Sequence, residues 1–170
     1  LKMTTTIFGP PGIGKSTIIR TIGILYPEVW VLDLETIPSI VRRMVAMKFP
    51  GDWNTIIGAA GTQPADYEKS VLTVFLTLGP DEYFARREER DKQFPNRRGQ
   101  ITDDQVRRWM LAAPTMYDAV VSAHGTANEV AHRVYGLHHK SFRWMTKPGP
   151  MKGRKPNVET RKDRRRSIGT

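Results

Sequence analysis

Cysteine is missing from this chain of 170 residues. Disulfide bridges and thiolate metal sites are therefore excluded, and stability has to come from a packed interior. No apolar run approaches the roughly 18 residues of a membrane helix. The start, Leu1-Lys2-Met3, has no long apolar stretch of the secretory kind. Met3 reads as the natural first residue, and a cytoplasmic location is the expectation. No internal repeat is visible. Acidic residues are scarce, 17 against 27 lysines and arginines, for a formal net charge of +10. Hydrophobic content of 39% and charged content of 26% suit one globular domain.

The positive charge is unevenly placed. From Lys147 onward there are nine basic residues against Glu159 and Asp163, so this stretch holds a surplus of seven and leaves three for residues 1–146. Residues 147–170 are rich in Pro, Gly, Lys and Arg and read as an arm without a core of its own. A basic arm on a nearly balanced body suits a polyanion; a solubility tail has the same composition.

Apolar patterning predicts alternating strands and helices. Strands are expected at 4–8, 29–34, 54–57, 71–78 and 119–122. Helices are expected at 15–25, 37–47, 80–91, 103–111 and 127–134. Ile18, Ile19, Ile22 and Leu25 mark the buried face of the first helix. Strands that are apolar along their length and alternate with helices imply a parallel sheet covered on both faces. The fold class is therefore three-layer α/β, with residues 1–146 as one domain.

The sharpest motif is Gly9-Pro10-Pro11-Gly12-Ile13-Gly14-Lys15-Ser16, directly after a strand and opening a helix. Glycines at these positions let backbone amides turn onto phosphate oxygens. Lys15 reaches the β and γ phosphates, and Ser16 offers a hydroxyl to Mg²⁺. Ile13 and Thr17 belong to the same cradle, and the helix dipole adds to it. ATP and Mg²⁺ are the expected ligands.

A phosphate loop alone does not separate kinases from switches or motors. Asp33 comes where the second strand ends, and in an open parallel sheet ligands bind outside the carboxyl ends of the strands. Its carboxylate can take a proton from an attacking hydroxyl or orient Mg²⁺; capping the next helix is the plainer role. Glu35, two residues on, faces the same side and is a substrate candidate. Residues 86–102 follow the fourth strand and hold Arg86, Arg87, Arg90, Arg97 and Arg98. They read as a lid, with Arg90 and Arg98 neutralising the transferred phosphoryl group and Arg86 at the substrate; a solvated helix face is the alternative. Arg42 or Arg43 can hold an acceptor phosphate. His132, His138 and His139 lack the acids and cysteines that a metal site needs. The run from His138 to Trp144 reads as a basic and aromatic surface leading into the arm.

This order of features resembles the group of nucleoside monophosphate kinases, shikimate kinases and polynucleotide kinases over about residues 4–135. The residues concerned are the phosphate loop, Asp33, Gly58-Ala59-Ala60-Gly61, then 71–78 followed by Arg86 to Arg98. Tyr117 to Val121 and Gly125 to Ala131 resemble the group's last strand and helix. The resemblance implies a five-stranded sheet ordered 2-3-1-4-5, a lid near 86–102, and an adenine pocket near His124, Gly125 and Thr126. It also implies that Asp33 is the catalytic base. The stretch between strands two and three is short for the group, and no nucleoside-monophosphate signature is evident.

Three functions follow as expectations. The first is a kinase acting on a DNA hydroxyl, similar to the small phage kinases that phosphorylate 5-hydroxymethyluracil during DNA modification. On that reading the location is the host cytoplasm. DNA would be held by arm and lid, and Trp30, Trp53, Trp109, Trp144, Phe142 and Tyr135 would offer stacking surfaces. The second is a kinase for a deoxynucleoside monophosphate or a small metabolite. The third is a nucleotide-dependent switch without phosphoryl transfer. Oligomeric state is not legible.

Overall fold

The computed structural model describes residues 3–38, 54–60, 70–95 and 101–146. Five strands form one parallel sheet: β1 (Met3–Phe8), β2 (Trp30–Asp33), β3 (Asn54–Gly58), β4 (Leu72–Thr77) and β5 (Ala119–Ser122). Their order is β2-β3-β1-β4-β5. The helices are α1 (Lys15–Leu25), α2 (Pro80–Gln93), α3 (Asp103–Met116) and α4 (Ala127–Thr146), with a short 3-10 turn at Leu34–Thr36. This is the expected three-layer α/β fold.

Strand alternation divides the core between the two faces. Ile7, Val74, Leu76 and Val121 share one cluster with Ile18, Ile19 and Ile22 of α1 and Val130, Ala131 and Val134 of α4. Phe8 and Phe75 point the other way, into a cluster with Trp109, Ala113 and Tyr117. Trp109 is 8% exposed, and its indole N–H donates to the Tyr117 hydroxyl at 2.7 Å. It is a core residue rather than a stacking surface. Trp30 is exposed, whereas Trp53 lies outside the described residues.

The burial or extent of several helices differs from the sequence expectations. Leu25 closes α1 half-exposed, because the apolar stripe ends a turn earlier at Ile22. No helix starts at Ile37, which is extended (φ −93, ψ 137); the rest of the expected 37–47 helix lies outside the described residues. Helix α3 runs past Leu111 through Pro114. Proline there forfeits one helical N–H, but Ala113 and Tyr117 are anchored in the aromatic cluster on either side of it. Helix α4 continues twelve residues beyond Val134.

That extension buries His138, in place of the surface position expected for it. Its Nδ1 lies 2.8 Å from the Thr5 hydroxyl and its Nε2 2.6 Å from Asn54 Oδ1. The amide oxygen accepts, so Nε2 carries the proton and Thr5 donates to Nδ1. Burial pushes the imidazole down to about 4, so it is neutral near pH 7. Thr6 similarly bonds Ser70. A strand with three buried threonines is tolerable because such hydroxyls find partners.

Candidate active site at the phosphate loop

Residues 9–14 link β1 to α1, and Gly14 is the N-cap of α1 in the left-handed conformation. No side chain caps that helix. The first amides of a helix have no partner within it, so those of Lys15, Ser16 and Thr17 mark an anion-binding end. Ile13 is buried and its N–H donates to Pro10 O at 3.2 Å, which holds the loop's curl.

Lys15 is 4% exposed. Its ammonium donates to Gly9 O at 2.8 Å and pairs with Glu35 Oε1 at 2.8 Å. Glu35 reaches it because β2 ends in a tight turn rather than running on. Asp33 caps that turn: its Oδ1 accepts from Glu35 N–H at 3.1 Å, and its backbone carbonyl accepts from the Thr36 hydroxyl at 2.7 Å. The capping role weighed for Asp33 is therefore real. Register puts Asp33 beside Gly58, and Gly58 beside Ile7. Two strand spacings put its backbone about 10 Å from β1, at the same carboxyl edge as the loop. Gly58 matters here: a Cβ on it would stand 2.1 Å from Ile19 Cδ1 and 3.3 Å from Asp33 Oδ1.

Helix α2 supports the loop from the other side. Tyr83, fully buried, donates its hydroxyl to Pro11 O at 2.8 Å. Burial raises that phenol's pKa, which keeps it a donor. Arg90 lies two turns further along the same helix face. A Cβ on Gly12 would meet its Nη1 at 2.7 Å, so the guanidinium lies against the loop, and the φ of +84 at Gly12 is the conformation that calls for glycine. Arg90 Nε and Nη2 both donate to Asp91 Oδ1, at 3.0 and 2.5 Å. Arg86 instead pairs with Glu82 at 2.6 Å, and Glu82 also meets His124 Nδ1 at 3.1 Å. Arg87 ties α2 to the start of α3 through Ile101 O and Asp103. Arg42, Arg43 and Arg98, most of the loop between α2 and α3, and the arm 147–170 lie outside the described residues.

Gly125 (φ +103) sits in the turn from β5 to α4. Arg133 braces this turn, donating to Ser122 O and His124 O at 2.8 Å each. Thr126 and Glu129 exchange hydrogen bonds at the start of α4. The bonds from Thr126 hold the Glu129 carboxyl below its ordinary range. Tyr83, Arg133 and the Lys15–Glu35 pair are not evident in the sequence alone. Only Tyr83 left a trace there, seven residues before Arg90 on one face of an expected helix.

The donor set suits a magnesium nucleotide. Gly12 to Thr17 present backbone and a helix end, Lys15 is a buried cation, and Ser16 is half-buried at the helix start. Among the described residues no group of three His, Asp or Glu can cage a metal. Magnesium at phosphates needs only one or two protein oxygens, and the Ser16 hydroxyl stands in the first turn of α1.

No protein-family model matches the sequence, and no curated protein does either. Solved structures do match. A shikimate kinase from Bacteroides thetaiotaomicron is 18% identical with a TM-score of 0.57, covering 82% of this chain and 99% of that one. A shikimate kinase from Acinetobacter baumannii in complex with shikimate is 18% identical with a TM-score of 0.58, covering 82% and 94%. A gluconokinase from Sinorhizobium meliloti is 11% identical with a TM-score of 0.58, covering 85% and 96%. The chain has the P-loop kinase fold. At these identities the likeness concerns architecture, and it carries nothing specific to phage DNA kinases. No helix among the described residues is long and apolar enough to cross a membrane.

Proposed function

We propose that this chain is an ATP-dependent kinase that phosphorylates a hydroxyl group of a small polar metabolite. The observation that carries the reading is the meeting of the buried Lys15 with the acidic turn that ends β2. One sheet edge thus presents a phosphate cradle and, two strands away, a carboxylate suited to an incoming hydroxyl. The structures it resembles include kinases for shikimate and gluconate, which agrees with a small acceptor.

On this reading Asp33 takes the proton of the acceptor hydroxyl as its oxygen attacks the terminal phosphorus in line. The bond from that phosphorus to the bridging oxygen breaks, and ADP leaves. Lys15 and the loop amides hold the phosphate oxygens, while Arg90, already against Gly12, offsets charge that develops on them. Ser16 would hold Mg²⁺, which supplies further neutralisation of the phosphates.

A DNA acceptor rests chiefly on the surplus of seven positive charges in residues 147–170. The path of α4 weighs against it. His138 meets Thr5 and Asn54 near the amino ends of β1 and β3, whereas the phosphate loop follows the carboxyl end of β1. Thr146, the last residue of α4, lies about 12 Å further from the loop at 1.5 Å per residue. Helix α4 thus runs away from the carboxyl edge of the sheet that holds Lys15.

The test is to offer labelled ATP and Mg²⁺ with hydroxy acids, sugars, nucleosides, deoxynucleotides, plain DNA and hydroxymethylpyrimidine DNA in parallel. Label entering a small hydroxyl compound supports the proposal. Label entering DNA, and lost on truncation after Thr146, replaces it with the DNA reading. ATP binding with no transfer to any hydroxyl points to a switch.

A further inference from the structure

The ammonium of Lys15 has a carboxylate partner within the protein, and that partner matters to any ligand of the cradle. Gly9 O and Glu35 Oε1 both stand 2.8 Å from Nζ. A phosphate oxygen bound to the same Nζ would come within about 5 Å of the Glu35 carboxylate, where two like charges repel. Moving Glu35 away requires no opening of the core, since its side chain is 40% exposed.

We infer that Glu35 is a positioning residue: it holds Lys15 against the loop and competes with nucleotide phosphates for the same ammonium. Nucleotide loading exchanges one anion for another on Lys15 and releases the Glu35 carboxylate beside Asp33, on the acceptor side. The pair lowers phosphate affinity and makes loading of the nucleotide the event that frees a carboxylate for the second substrate. This rests on the proposed nucleotide site, and the experiment separates the two.

The intact chain and Glu35→Gln are compared for binding of inorganic tripolyphosphate, magnesium-free ADP and MgADP, and for thermal unfolding without ligand. Glutamine keeps the size and removes the charge. The variant should unfold at a temperature lower by about 3 °C, because a buried ammonium has lost its carboxylate. It should nevertheless bind tripolyphosphate and magnesium-free ADP about threefold to tenfold more tightly. A merely structural role would lower the melting temperature and leave affinity unchanged; that result overturns the inference, as does weaker binding. Weaker MgADP binding with unchanged magnesium-free binding would make Glu35 a metal ligand instead, and also overturns it. If neither protein binds any of the three, the nucleotide-site reading itself fails and the inference falls with it.

Discussion

Alanine at position 58 is a sensitive probe of how the acidic turn is seated. The added Cβ would lie 2.1 Å from Ile19 Cδ1 and 3.3 Å from Asp33 Oδ1. Ile19 Cδ1 is the tip of a side chain and can swing, but Ile19 is 2% exposed and packed within the main core. Overfilling such a site costs about 1–3 kcal/mol. For a chain of this size that lowers the melting temperature by about 2–4 °C per kcal/mol. The atom in the way is one that valine lacks. Ile19→Val alone should cost about 0.5–1.5 kcal/mol through the lost methyl group. In the double variant the new methyl group occupies the space that Cδ1 vacates. The two substitutions should therefore be non-additive, with a coupling of about 1 kcal/mol or more in favour of the pair. Urea unfolding of the four proteins measures this. Strict additivity would show that β3 and α1 are not seated as described, and with them the position of Asp33.

Two further outcomes follow from buried polar groups. His138 is held neutral at about 4, against an ordinary value of 6.5 that the unfolded chain retains. Its contribution is complete above pH 6.5 and is lost as pH falls towards 4, by about 3 kcal/mol over that window. Urea unfolding at several pH values should show this slope in the intact chain and not in His138→Gln; equal slopes would refute it. Tyr83→Phe removes the donor to Pro11 O. It should cost about 1 kcal/mol of stability and weaken nucleotide binding while leaving the KM of the acceptor alone; unchanged nucleotide affinity would remove Tyr83 from the loop's support.

The strands were legible because each is a short apolar run bounded by Gly, Pro or a charged residue, whereas their order, β2-β3-β1-β4-β5, was implied only by the resemblance to the kinase group. The C-terminal half of α4 was not legible. Val130, Val134 and His138 are spaced four apart on one stripe, but Gly136 and paired histidines hide it, and a buried histidine looks like a surface one until its partners Thr5 and Asn54 are known. Trp109 was misjudged for the same reason: an aromatic residue between arginines and methionine reads as surface or core depending on neighbours that lie elsewhere in the chain. Within the site, the loop residues and Asp33 were evident from spacing. The Lys15–Glu35 pair and the contact of Arg90 with Gly12 were not, since they join residues 20 and 78 apart and depend on how the β2 turn and α2 are placed.

Removing the Asp33 carboxylate tests whether it activates a hydroxyl beside the phosphate cradle. The direct measurement is phosphoryl transfer from labelled ATP to whichever compound accepts it, run with the intact chain and with Asp33→Asn, alongside nucleotide binding by each. The role of Asp33 as base predicts that transfer falls by about a hundredfold or more in the variant while ATP affinity changes little. Transfer at the intact rate without the Asp33 carboxylate would contradict it.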